Sequence, residues 1–149
     1  MGEFERQLRQ YQAKETLGKT AVGSRAVLYP HLLELLYTDM ERCFAALREV
    51  PEGIQRFDKD VVITIGKHSQ TASLPYLKLN AGSVQVTIGP DQKLGETLVV
   101  RVAGDNAKSH FSVVRDENDP QWSIQKPGSE KQWYSDHVFD NLLADAMFN

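Results

Sequence analysis

The chain has 149 residues, 41% hydrophobic and 25% charged, with a net charge of −3. Such a chain is one ordinary domain, able to bury about two-thirds of its unfolded surface without disulfides or metal. The acidic balance excludes a protein that holds nucleic acid mainly through phosphates, and no apolar run approaches the ~20 residues of a membrane-spanning helix.

The lone cysteine, Cys43, cannot form an internal bridge, so a reducing cytoplasm is the expected setting. Met1 to Gln10 are polar and charged, unlike a secretory signal. Charge is uneven along the chain. Residues 1–30 have a balance of +2 and residues 105–149 a balance of −4, a gradient suited to two copies meeting head to tail.

Apolar residues at Phe4, Leu8 and Tyr11 recur at helical spacing on an otherwise polar segment, so an N-terminal helix is predicted from Phe4 to about Leu17. Gly18 and Gly23 bracket a small-residue stretch that reads as a loop or hinge, placing helix and hinge within residues 1–23. A core helix follows over 24–50. Leu28, Leu32, Leu35, Leu36, Met40, Phe44 and Leu47 give it a continuous apolar face, and Pro51 stops it. Pro30 is comfortable only in a first turn, so the regular helix is expected from Pro30 onward. Cys43 borders the apolar face and reads as a sheltered side chain.

Between residues 60 and 126 the period changes to alternation. Val62 to Gly66, Tyr76 to Leu79, Ser83 to Ile88, Thr97 to Ala103, Ser109 to Arg115 and Gln121 to Lys126 read as strands. One face is apolar and the connectors are short, so an antiparallel sheet of about six strands is expected. Ser135 then caps a closing helix over 135–149, Tyr134 can staple against Phe139, and Val138, Phe139, Leu142, Leu143, Ala146 and Met147 form its buried stripe. The whole reads as a single two-layer α+β domain, with an N-terminal helical region and the C-terminal helix packed on one face of the sheet.

No motif carries chemistry. Gly18-Lys19-Thr20 ends like a phosphate-binding loop, but Ala13 stands where the first glycine is required and the preceding segment is helical. Asp116-Glu117-Asn118-Asp119 resembles a calcium loop until Pro120 and Gln121 break the pattern. His31, His68, His110 and His137 are scattered without metal-ligand spacing. No catalytic, cofactor or metal site is therefore predicted. Tyr76, Phe111, Trp122 and Trp133, interleaved with Lys78, Arg101 and Arg115, could stack single-stranded bases, although Trp122 shares a strand face with Ile124 and is expected in the core.

The expected function is a small protein-interaction or adaptor domain, self-associating rather than catalytic. Its surface would be formed by Phe4, Leu8 and Tyr11 on the helix or by Val99, Arg101 and Val114 on the outward sheet face. The alternative is a ligand-binding or catalytic domain with a pocket between helices and sheet, which requires polar groups turned into the apolar layer.

Overall fold

A computed structural model describes residues 2–104, 110–116 and 119–149, with the side chains of residues 14–18 left aside. Its first element, α1, is one helix of 42 residues, Glu3–Phe44, about 63 Å long at 1.5 Å per residue. The predicted break at Gly18 to Ser24 is absent. Helical glycine costs about 1 kcal/mol, but Val22, inside that stretch, is buried and docks it to the domain. Pro30 also lies within the helix rather than at its start. Tyr29 beside it is buried, and its hydroxyl donates to the Gly95 carbonyl at 2.6 Å. Tertiary contacts on both sides thus hold a turn that local preference would open. After Phe44 the chain tightens into the 3-10 turn η1, Ala45–Glu49, before Pro51.

The core face of α1 is rotated from the expected one. Leu32, Leu36, Met40 and Phe44 are buried as predicted, joined by Tyr29, Leu33 and Tyr37, whereas Leu28 and Leu35 point to solvent. The Tyr37 hydroxyl donates to the Pro75 carbonyl at 2.8 Å, fixing the helix to the sheet within the buried layer.

The sheet has eight strands: β1 Ile54–Ile65, β2 His68–Ala81, β3 Val84–Pro90, β4 Lys93–Leu94, β5 Leu98–Gly104, β6 His110–Arg115, β7 Ser123–Gln125 and β8 Gln132–Trp133. Their spatial order is β4-β1-β2-β3-β5-β6-β7-β8. Neighbours are antiparallel except β4, which runs parallel to β1 and makes the sheet mixed. This follows from a short return: the chain leaves β3 at Pro90, and the Val62 N–H donates to the Gln92 carbonyl at 2.9 Å. The short connectors expected after β5 and β6 fall partly outside the described residues, as does Ser109 of the predicted strand Ser109 to Arg115.

Side chains alternate between faces along each strand. Leu77 and Leu79 of β2, Val86 and Ile88 of β3, Val100 and Val102 of β5, Phe111 and Val113 of β6 and Ile124 of β7 share the helix-covered face by register, and all are buried. On the long β1–β2 hairpin the buried side changes. Val61, Ile63 and Leu74 belong to the opposite parity yet have no exposed surface. Between the two regimes Leu74, Pro75, Tyr76 and Leu77 are buried in succession.

The closing helix α2, Asp136–Phe148, docks through Phe139, Leu143, Ala146 and Met147, with Val138 and Leu142 at the margin. Ser135 Oγ accepts from the Val138 N–H at 3.2 Å. The Tyr134 and Phe139 rings lie 5.8 Å apart, the staple expected from sequence. Phe139 in turn meets Phe111 edge to face at 5.8 Å. α1 and α2 together form the helical layer of an α+β domain. No described helix is long and apolar enough to cross a membrane.

Candidate interaction surfaces

The six residues expected at an interface fall into two separate groups. Phe4, Leu8 and Tyr11 lie on the first half of α1, where they are 81%, 42% and 59% exposed. Val22 follows Phe4 by about five turns at 3.6 residues per turn, so this trio occupies the same helical face as Val22, Tyr29, Leu33, Leu36, Met40 and Phe44. The stripe is continuous but its burial is not. From Val22 onward it packs against the domain; before Thr20 its described side chains have no cover. Glu3 with Arg6 and Glu5 with Arg9 pair along the helix, leaving the stretch from Glu3 to Tyr11 without net charge. On the opposite side of α1, Val27, Leu28 and Leu35 are exposed, and Val27, Leu28 and His31 border an open trough with Thr20 and Ser24.

The second group lies on the sheet face away from the helices. Val99 and Val114 are cross-strand partners there, with Arg101 one step along β5. Val99 is half-buried and Arg101 is exposed, with its guanidinium paired to Asp91 at 2.5 Å. Val114 corrects the expectation: it is on the outward face but only 8% exposed, flanked by Val99 and by Ser123, which is itself buried. Alternation identified its face correctly, but its neighbours on that face leave it little surface.

Near Arg101 the same face carries a cleft of about 330 Å³, bordered by Arg101, His110, Ser112, Gln125, Lys126, Pro127, Ser129 and Lys131. Arg101, Ser112 and Gln125 are successive partners across β5, β6 and β7 and form a row across its floor. The segment Lys126-Pro127-Gly128-Ser129 makes its rim. Gly128 has φ 79° and the Ser129 N–H donates to the Lys126 carbonyl at 3.0 Å, the form of a Pro-Gly type II turn. Sequence reasoning missed this cleft, although Pro127-Gly128 is a recognisable turn signal.

Several other sequence candidates are settled by position. Phe111 and Trp122 turn toward the core, and Tyr76 is covered, so the aromatic residues do not form one stacking platform. Tyr76 spans Gly89, its hydroxyl donates to the Pro90 carbonyl at 2.7 Å, and Phe57 stacks on it at 5.4 Å. Gly18-Lys19-Thr20 is helical and cannot wrap a phosphate. Among the described residues no group of His, Cys, Asp and Glu is placed to hold a metal. Of the calcium-like loop, Glu117 and Asn118 lie outside the described residues.

Cys43 is partly buried, and its Sγ lies 3.5 Å from the Asp136 carbonyl oxygen. Burial, then the nearby Asp136 and Asp140 carboxylates, push its thiol pKa up, against a smaller effect of Arg42. These surroundings suppress the thiolate that nucleophilic chemistry needs. Comparison of the chain with protein-family models, curated proteins and solved structures gives no match.

Proposed function

We propose that this protein is a self-associating interaction domain whose projecting half of α1 pairs with a second copy. The observation that carries this reading is the uncovered stripe of Phe4, Leu8 and Tyr11, which continues the face α1 buries in its own domain. Isolated helices are marginal in water, and amphipathic helices owe most of their stability to packing of the apolar face. A second copy offers the same stripe, so one two-fold contact covers both helices. The local ion pairs leave no net charge between Glu3 and Tyr11, so approach of two copies meets no like-charge barrier. The single protected thiol suits action in a reducing cytoplasm.

The alternative of a catalytic pocket between helices and sheet requires polar groups in the intervening layer. Among the described residues Ser123 is the one buried polar residue, and it lies on the outward face. The buried hydroxyls of Tyr37 and Tyr76 are already committed to carbonyls. At the margin between α2 and β7 there is a cleft of about 200 Å³ bordered by Ile124, Leu142 and the polar Lys126, Ser129, Glu130 and Gln132, all four of them exposed. The polar groups beside this layer thus sit at its exposed edge, which supports the binding reading.

Multi-angle light scattering tests the proposal. The full chain should have the mass of a dimer across the micromolar range, and a chain lacking residues 1–17 should be a monomer with nearly the same melting temperature. A monomeric full chain would refute self-association, and loss of folding on truncation would make the projecting half a core element.

A further inference from the structure

We propose that the cleft on the outward sheet face is a binding site for a small phosphorylated molecule, formed by Arg101, Ser112, Gln125, Lys126, Ser129 and Lys131. The inference is independent of self-association, since the cleft and the projecting half of α1 involve different residues.

The chemistry of the boundary selects the ligand's charge. Two lysines and an arginine converge from β5 and from the Lys126–Lys131 segment, while no carboxylate borders the cleft. Arginine and lysine are donors only, and serine hydroxyls and the glutamine amide add neutral donors. A cation would find few ligands there, whereas an anion meets donors from floor and rim. Two of these three cations are already ion-paired. Asp91 holds the Arg101 guanidinium through Nε at 2.5 Å, and Asp116 lies 3.8 Å from the Lys131 ammonium. Lys131 is further placed 5.4 Å over the Trp133 ring. Lys126 makes no ion pair among the described residues, so its charge is available to a ligand.

The geometry selects a multidentate oxyanion. The floor offers Arg101, Ser112 and Gln125 in one row, with neighbouring strands about 4.8 Å apart. The rim is fixed in advance, because Pro127 and Gly128 set its turn and little ordering is required on binding. A planar carboxylate engages two donors well. A phosphate presents oxygens in several directions and can meet floor and rim together. The cleft, about 330 Å³, is at the lower end of the ~300–1,000 Å³ typical of small-ligand sites, which leaves room beyond the phosphate for a compact organic group.

The test is a two-dimensional amide NMR titration of the full chain at constant ionic strength, using inorganic phosphate, glycerol 3-phosphate and acetate. Both phosphates should give saturable shifts confined to Ser112, Gln125, Lys126, Ser129 and their neighbours, with glycerol 3-phosphate the tighter. Acetate should bind at least ten-fold more weakly. Lys126→Gln, an exposed substitution, should weaken phosphate binding about five-fold or more while leaving the melting temperature unchanged. Non-saturating shifts, shifts spread over other lysines, equal response to acetate, or unaltered binding by Lys126→Gln would each overturn the assignment.

Discussion

The two most informative residue positions are glycines with opposite requirements. At Gly89 an added Cβ would lie 1.8 Å from the Tyr76 ring. Gly89→Ala must therefore dislodge Tyr76, along with its hydroxyl bond to Pro90 and its stacking on Phe57. A loss of about 1 to 3 kcal/mol is expected from urea unfolding, typical of overpacking. At Gly23 the added Cβ would meet only a Gln70 side-chain oxygen at 3.9 Å, an ordinary contact within a helix. Gly23→Ala should gain about 0.5 to 1 kcal/mol by the same measurement. A second residue-scale consequence concerns alkaline pH. Burial, and then a neighbouring Tyr76, raises the Tyr37 phenol well above its ordinary value, and burial followed by the Asp136 charge does the same to Tyr134. Because the folded values exceed the unfolded value of ~10, this stabilisation is present below pH 10 and is lost as pH rises further. Urea midpoints should be steady from about pH 7 to 9 and fall above pH 10, less so in Tyr134→Phe. A midpoint unchanged to pH 11 would contradict this assignment.

At the scale of elements, α2 is the segment whose sequence and structure agree most closely, because its signals are local. Ser135 caps, Tyr134 staples, and the apolar stripe keeps helical spacing to the chain's last turn. Phe139 has no exposed surface and touches both Phe111 and Tyr134, so Phe139→Ala should cost about 3 to 5 kcal/mol in a urea melt. Ser135→Ala should cost about 1 kcal/mol through loss of the cap. The elements that sequence reading shortened or split depend instead on distant partners. Ile54–Val61 is rich in charge and lacks a strand signature, but it pairs with β2 throughout. The Gly18 to Ser24 stretch looks like a hinge until Val22 is seen to be buried. β4 and β8 are two residues each, too short for periodicity to register. The choice of Tyr29, Leu33 and Tyr37 over Leu28 and Leu35 is likewise made by contacts across the core, notably the Tyr37 bond to Pro75.

At the scale of the whole molecule, the domain buries a continuous core but leaves Phe4, Leu8 and Tyr11 in the first half of α1 without cover. Phe4, Leu8 and Tyr11 were legible as a narrow apolar stripe, whereas its continuity with the core face required knowing that no break intervenes at Gly18. The phosphate cleft was less legible, because Arg101, Ser112 and Gln125 become neighbours only through strand register. Self-association is the central claim, and its direct test is sedimentation velocity of the full chain beside the double variant Leu8→Glu, Tyr11→Glu. Both substituted residues are exposed, so melting should be nearly unchanged while four carboxylates are brought into the proposed contact. The wild-type chain should sediment as a dimer across the micromolar range, and the variant as a monomer at every concentration. Identical sedimentation of the two chains would contradict pairing through α1.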